Sequence, residues 1–188
     1  MDIKVKEPML LKNVVETSRF EQWKAETVKF YEEAAMTAYE GGFGRYQLNK
    51  ADWLDEIHQA LLPIAQTMFE SQTLKPAWYQ LGVYEGPKAQ LHKHKDDNAC
   101  QYTIDFCLYQ RTPWSIWVEG KEYFLDENDA LLMYGNAQEH WREAFPDPMN
   151  NVVGNAFLFY CEPDHWYFTE GPEYLNVLRA QNKQTGMM

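Results

Sequence analysis

The sequence has few cysteines and little positive charge. Cys100, Cys107 and Cys161 are an odd number with no Cys-x-x-Cys spacing, which predicts small buried thiols rather than a disulfide framework or a cysteine-based zinc site. With 17 Lys and Arg residues against 28 Asp and Glu residues, the formal net charge is -11. Nucleic acids and anionic membranes select basic surfaces, so neither is an expected partner. A small molecule, or a neutral or basic polypeptide, is the expected partner.

Long apolar segments are also missing. The residues from 1 to 11 mix charged side chains among apolar ones, so they do not form the apolar core of a signal peptide. No later segment approaches the roughly 20 consecutive apolar residues of a transmembrane helix. We therefore expect a soluble cytoplasmic protein. A length of 188 residues with 45% hydrophobic residues predicts a single domain, residues 1–188, with a sizeable core.

The first 75 residues have the pattern of amphipathic helices. Aromatic and small residues recur at three- and four-residue steps from Phe20 to Ala38. A second apolar stripe runs from Trp53 to Met68, and Pro63 is predicted to kink or divide it. His58 has polar neighbours in this stretch, which predicts a surface position. We interpret residues 1–75 as a helical support region.

From residue 76 the pattern changes to that of β-strands. The predicted strands are Trp78 to Tyr84, Tyr102 to Tyr109, Trp114 to Val118, Tyr123 to Leu125, Ala130 to Tyr134 and Val152 to Tyr160. Turn residues such as Glu119-Gly120 separate them and favour antiparallel hairpins. We predict an α+β fold, with a jelly-roll or cupin-like barrel over residues 76–170 and the N-terminal helices packed on one sheet. Residues 171–188 are predicted to be a C-terminal helix, starting near Glu173, and a tail.

His94, Asp96 and a distant His140 form a candidate metal site. In an extended strand, residues two apart project from the same face, so His92, His94 and Asp96 share one side while Lys95 points away. Two imidazoles and one carboxylate are the ligand set that holds non-haem iron(II) on one face and leaves other positions open. The chain between Asp96 and His140 is long enough for several strands to pass before it returns beside the first pair. The pattern therefore indicates a redox enzyme.

The C-terminal half resembles the iron(II)- and 2-oxoglutarate-dependent dioxygenases, in particular the small prolyl-hydroxylase-like members of the double-stranded β-helix group. The resemblance depends on Tyr84, Gly86, Leu91, His94, Asp96, Tyr102-Thr103, the segment from His140 to Glu143 and the strand from Asn155 to Tyr160. It implies that His94, Asp96 and His140 are the catalytic residues and hold Fe(II), with 2-oxoglutarate and molecular oxygen in the remaining positions. It also implies oxidation, by default hydroxylation, of a C–H bond in a small molecule such as an amino acid or a natural-product intermediate, with release of succinate and carbon dioxide.

2-Oxoglutarate also needs a partner for its far carboxylate, and an Arg is best suited because its planar fork makes two hydrogen bonds. Related enzymes often place an Arg or Lys on the strand after the distal His, where this sequence has no cation. Arg142 is the substitute candidate, since it shares the inward face of His140 if the segment is extended. A surface ion pair is its other interpretation. Tyr84, and then Tyr102 and Thr103, are further candidates for binding 2-oxoglutarate.

Other interpretations of the same residues remain open. Gly86, followed by His92 and His94, fits the start of a cupin metal motif, in which His92, His94 and His140 would be the ligands and 2-oxoglutarate would not be used. His92 is otherwise predicted to be a hydrogen-bond donor near the site or a pocket residue, and His165 a packing or substrate-rim residue. A peptidyl-prolyl hydroxylase and a β-barrel binding module without catalysis are further hypotheses. The sequence does not indicate an oligomeric state.

Overall fold

The computed structural model describes residues 5–33, 39–147, 149–174 and 176–177. The end of the first predicted helix, residues 34–38, and most of the predicted C-terminal helix, Glu173 to Asn182, lie outside these ranges. No helix among the described residues is both long and apolar enough to cross a membrane. The three cysteines are free and buried, as the sequence predicted.

Two long helices precede most of the β-structure. Helix α1 spans Thr17–Glu33 and buries Phe20 and Trp23, which lie one turn apart on its apolar stripe. Helix α2 spans Asp52–Met68 and continues through Pro63, so of the two predicted effects of Pro63, a kink or a division, the division is wrong.

His58 of α2 is buried, and the predicted surface position is wrong. It lies on the same helical stripe as Leu54 and Leu61, which are fully buried. Its Nε2 is 3.0 Å from the carbonyl oxygen of Phe159, and the Tyr160 hydroxyl donates to the carbonyl oxygen of His58 at 2.9 Å. The residues next to His58 in the sequence are polar, which suggested a surface position. The large sheet, which packs on α2, supplies the hydrogen-bond partners that allow His58 to be buried.

The strands form two antiparallel sheets. The remaining elements are β1 (Met9–Leu11), β2 (Tyr39–Glu40), β3 (Arg45–Leu48), β4 (Lys75–Glu85), β5 (Leu91–His94), β6 (Tyr102–Gln110), β7 (Ile116–Val118), β8 (Lys121–Tyr123), β9 (Ala130–Met133), β10 (His140–Arg142), β11 (Val152–Cys161) and a short helix α3 (Trp166–Thr169). The larger sheet has the order β1-β9-β6-β11-β4-β3-β2, and the smaller sheet has the order β5-β10-β7-β8. This arrangement is jelly-roll-like. The N-terminal region contributes β1, β2 and β3, which were not predicted.

The alternation of side chains along the central strands gives the large sheet two different faces. On β6, Ile104 and Phe106 point to the layer of α1 and α2, where they join the largest apolar cluster. Thr103 and Met133 point the other way, toward the small sheet, and line a cavity between the sheets. The helices therefore close one face of the large sheet, as predicted, and leave the other face for the site.

The turn predicted at Glu119-Gly120 connects β7 to β8. Val118 pairs with Lys121, and both intervening residues have positive φ, 50° at Glu119 and 79° at Gly120. Two successive positive φ angles are typical of a tight two-residue hairpin turn, and glycine adopts this region at little cost. The turn prediction is confirmed.

Candidate metal centre

His94 and His140 are direct cross-strand partners at the edge of the cavity. His94 is the last residue of β5 and His140 the first residue of β10, and the two strands pair in the small sheet at these residues. The centroids of the two imidazole rings are 4.4 Å apart. Pairing of two strands that are distant in sequence thus brings the predicted histidines together.

Asp96 completes a cluster of three ligand atoms. Its Oδ1 lies 3.4 Å from His94 Nε2 and 3.6 Å from His140 Nε2. One ligand atom from each residue lies within 4.8 Å of the others, which is close enough for one ion to contact all three. His140 is buried, whereas the His94 side chain is 36% exposed. The cluster is accessible from one side.

Backbone carbonyls fix the orientation of both imidazoles. His94 Nδ1 donates to the carbonyl oxygen of His92 at 2.7 Å, and His140 Nδ1 donates to the carbonyl oxygen of Gln138 at 2.9 Å. A carbonyl oxygen only accepts, so each Nδ1 carries a hydrogen, and Nε2 is the ring atom that faces Asp96. This is the arrangement of a metal-binding histidine with its outer hydrogen bond in place.

The charge of the cluster also suits a cation. Burial alone would raise the pKa of Asp96, but hydrogen bonds with His140 and His94 outweigh it and lower the pKa to about 2. Burial would lower the pKa of His140, yet its hydrogen bond and charge interaction with Asp96 raise it. An ionised carboxylate beside two imidazole nitrogens is a suitable ligand set for a divalent metal ion, which would take the place of the hydrogens between them.

Gly135 is a site residue that sequence reasoning missed. Its carbonyl oxygen accepts the Asp96 N–H at 2.9 Å. A Cβ at position 135 would collide with Asp96 Oδ2 and Thr103 Oγ1. The absence of a side chain therefore lets the Asp96 carboxylate approach the two histidines.

The three ligands line one part of a cavity of about 310 Å³ between the sheets. Its apolar lining includes Phe43, Trp78, Leu91, Ile116, Met133, Phe157 and Phe159, and its polar lining includes Arg45, Gln80, Tyr84, His92, Asp97, Cys100 and Thr103. A mostly apolar pocket with a few converging polar groups is typical of a small-molecule site.

Solved structures share this fold. SnoK, described as a non-haem α-ketoglutarate-dependent carbocyclase from nogalamycin biosynthesis, matches with a TM-score of 0.67 at 12% identity, over 92% of this chain and 85% of SnoK. A Pseudomonas putida prolyl-4-hydroxylase matches with a TM-score of 0.60 at 11% identity, over 81% of this chain and 91% of that one. The chain has the fold of the 2-oxoglutarate-dependent oxygenases.

A further protein with this oxygenase fold is HygX from Streptomyces hygroscopicus, solved with nickel, 2-oxoglutarate and hygromycin B bound. It matches with a TM-score of 0.63 at 11% identity, over 86% of this chain and 85% of HygX. No protein-family model and no curated protein sequence matches the chain. The fold therefore agrees with the resemblance seen in the sequence.

Arg142 shares the inward side of β10 with His140 but lies outside the cavity lining. Its Nη2 donates to Asp105 Oδ2 at 2.7 Å, and its Nη1 donates to the carbonyl oxygen of Trp114 at 2.7 Å. Both side chains of the ion pair are buried, and Asp105 Oδ1 also accepts from Asn155 at 2.9 Å. The buried ion pair, which the sequence did not predict, already neutralises this guanidinium.

Tyr84 lies in the cavity, where it meets a cation that the sequence analysis did not consider. Arg45 Nη1 donates to the Tyr84 hydroxyl oxygen at 2.9 Å, and Arg45 Nε donates to Glu40 Oε2 at 2.6 Å. Burial is the main cause that raises the pKa of Tyr84, so the phenol keeps its proton. Arg45 follows a glycine-rich segment that carries no local signal for a binding site, and only the pairing of β3 with β4 brings it to Tyr84.

Tyr102 and Thr103 lie on opposite faces of β6. Thr103 lines the cavity near Asp96, whereas the Tyr102 ring packs against Phe69 and Tyr134 on the side of the helices. Adjacent residues of a strand point to opposite faces, so the two candidates do not share the site. The structure places Tyr102 in the apolar core instead of the cavity.

The other histidines differ from the ligand set. His92 lines the cavity beside Phe43, with ring centroids 6.3 Å apart, and supplies its carbonyl oxygen to His94. Among the described residues, the cluster that is able to hold a metal contains Asp96 and excludes the His92 ring. His165 caps α3, where its Nδ1 accepts from the Tyr167 N–H at 3.2 Å.

Proposed function

We propose that this protein is an oxygenase that depends on iron(II) and 2-oxoglutarate. It oxidises a C–H bond of a small molecule and releases succinate and carbon dioxide. The observation that supports this proposal is the convergence of His94 Nε2, Asp96 Oδ1 and His140 Nε2 at one cavity, with both Nδ1 atoms held by carbonyl oxygens.

The donor set fits iron(II). His94, Asp96 and His140 would hold iron(II) through two nitrogens and one oxygen and would leave coordination positions free for a cosubstrate and oxygen. When bound there, the metal and 2-oxoglutarate together supply the activation of molecular oxygen. The protein's part is to hold His94, Asp96 and His140 in place at one end of a mostly apolar cavity.

Arg45 and Tyr84 fit the far carboxylate of 2-oxoglutarate better than Arg142 does. Both line the cavity, and a guanidinium has more N–H groups than the two bonds to Glu40 and Tyr84 use. The Tyr84 oxygen accepts from Arg45, so its own O–H is able to donate to a carboxylate. Arg142 is neutralised by Asp105 and lies behind the lining. We assign the anchoring role to Arg45 and Tyr84, with Thr103 beside the metal.

The size of the cavity supports a small substrate. About 310 Å³ lies at the low end of the range for small-molecule pockets, and the cosubstrate takes part of it. Among the structural neighbours, HygX was solved with hygromycin B, whereas another neighbour is a prolyl-4-hydroxylase. A mostly apolar cavity of this size favours a small molecule over an extended polypeptide.

Anaerobic metal binding tests the ligand assignment. His94→Ala and Asp96→Ala are each expected to weaken iron(II) binding more than about 100-fold, because an open triad cannot lose a ligand without losing most of its affinity. His92→Ala is the matched control and is expected to retain binding. If His92→Ala abolishes binding and Asp96→Ala does not, the cupin-type ligand set replaces this one.

Succinate formation tests the reaction class. The iron-loaded protein is expected to convert 2-oxoglutarate to succinate slowly without substrate, and a library of amino acids and ring-bearing metabolites is expected to contain a compound that accelerates it. The Asp96→Ala variant provides the background. A wild-type protein that binds iron(II) but neither binds nor consumes 2-oxoglutarate would refute the proposed function.

A further inference from the structure

We infer that Gln80 donates a hydrogen bond to an oxygen of the molecule that is oxidised, and that this molecule has a flat apolar body bearing a carbonyl group. The inference rests on the proposed function, because it concerns the substrate of the same cavity. It starts from a buried polar atom that the fold leaves without a partner.

The Gln80 side chain is part of the cavity lining and is 7% exposed. Its Nε2 is buried and has no hydrogen-bond partner among the described residues. A buried donor without an acceptor lowers the stability of a folded protein, and most such groups in proteins have a partner. A bound molecule with an acceptor oxygen supplies the missing partner.

The buried carboxylate of Asp105, on the same side of the sheet, does not offer that acceptor. Gln80 pairs with Phe157 on β11, and Phe157 pairs on its other side with Asp105 on β6. Both carboxylate oxygens of Asp105 are already bound, one by Arg142 and the other by Asn155. The Gln80 amide is therefore left to the cavity and not to the interior ion pair.

The surroundings of Gln80 define the rest of the molecule. Trp78, two residues earlier on the same face of β4, stacks on Phe159 with ring centroids 4.4 Å apart and an interplanar angle of 23°. Together with Phe157 these rings give the cavity flat apolar walls, which favour a planar ring as ligand. Arg45 is assigned to the carboxylate of the cosubstrate, and for the uncharged Gln80 amide we infer an uncharged acceptor, a carbonyl oxygen.

The first test compares stability with binding. Gln80→Met removes the unpaired amide and keeps the length of the side chain, so the metal-free variant is expected to be at least as stable as the wild type toward urea. Gln47→Met, on β3 and outside the cavity lining, is the matched control. A clear loss of stability in Gln80→Met alone would show a structural role for the amide and would overturn the inference.

The second test uses two probes of the same shape. Acetophenone has a carbonyl oxygen where α-methylstyrene has a methylene group. Ligand-observed NMR with protein loaded with nickel(II) and 2-oxoglutarate is expected to show acetophenone binding about five- to tenfold more tightly. Gln80→Met is expected to bind both probes equally, while Gln47→Met keeps the preference of the wild type.

Two results would overturn the inference without affecting the proposed function. One is a wild type that binds neither probe or binds both equally. The other is a Gln80→Met variant that loses affinity for 2-oxoglutarate as much as for acetophenone, which would assign Gln80 to the cosubstrate. If the wild type binds nickel(II) but not 2-oxoglutarate, the proposed function fails, and the inference fails with it.

Discussion

The Asp96 carboxylate occupies space that is free because residue 135 is a glycine. The Asp96 N–H donates to the Gly135 carbonyl oxygen at 2.9 Å, and a methyl group on Gly135 would collide with Asp96 Oδ2. The segment before β10 thus shapes the metal site from outside the ligand set. The position of the one anionic ligand depends on it.

Gly135→Ala is therefore expected to weaken divalent metal binding at least tenfold, because the displaced carboxylate no longer faces the His94 and His140 nitrogens. Calorimetric titration with nickel(II) measures this change. Gly41→Ala is the control, since a Cβ there meets no atom within 4 Å. Unchanged nickel affinity in folded Gly135→Ala would show that the carboxylate has room to move.

Arg45→Met is expected to weaken 2-oxoglutarate binding roughly 10- to 100-fold, because a charge-assisted hydrogen bond in a cavity is lost. Tyr84→Phe is expected to have a smaller effect in the same direction. The Michaelis constant for 2-oxoglutarate in succinate release measures both changes. Arg19→Met is the control, since Arg19 pairs with Glu56 at the surface. An Arg45→Met variant with the wild-type constant would contradict the assignment.

Arg142→Met is expected to act on stability. Its removal leaves the buried Asp105 carboxylate with only Asn155 as a side-chain partner, which costs about 3–5 kcal/mol in the free energy of unfolding. Urea unfolding measures the loss. The double variant Arg142→Met with Asp105→Leu is expected to regain much of it, because no buried charge remains. If the double variant loses as much as the sum of the single variants, the two residues are not coupled.

His58 is expected to make the protein less stable as the pH falls below neutral. Burial lowers the pKa of His58 to about 4 in the folded state, from an ordinary value of 6.5. Between these values the unfolded chain binds a proton that the folded protein does not, so stability decreases as the pH falls from 6.5 to 4. The full effect is about 3 kcal/mol.

Urea unfolding at pH 7 and pH 5 measures the contribution of His58. His58→Leu is expected to show a smaller decrease in stability between these pH values than the wild type. The range lies above that in which Asp96 is protonated, since the pKa of Asp96 is lowered to about 2. Equal decreases in the two proteins would show that the pKa of His58 is the same in the folded protein and in the unfolded chain.

The sequence predicted the parts of the fold that depend on local spacing. Apolar residues at helical steps predicted most of α1 and α2, and alternation predicted β4, β6, β9 and β11. The sequence did not show that α2 passes through Pro63 intact or that His58 is buried. In both cases the packing of α2 on the large sheet outweighs the local preference.

The candidate metal ligands could be chosen from the sequence because their chemistry is specific. A His-x-Asp pair and a later His, on strands of a β-domain, matched the pattern of one ligand set, and the structure brings His94, Asp96 and His140 together. The pairing of β5 with β10 brings the two histidines together, whereas the types and spacing of the three residues were enough to select them as candidates. Thr103 and Tyr84 also line the cavity, as the alternation of their strands permits.

What the sequence determined by itself is thus the two long helices, the longer strands and the candidate metal-binding side chains. Only the tertiary structure decided their neighbours. The pairing of β3 with β4 put Arg45 beside Tyr84, the approach of β10 to β6 matched Arg142 with Asp105, and a distant glycine made room for Asp96. These contacts join segments far apart in the chain, and their partners are set by strand register and packing, which no local pattern of residues specifies.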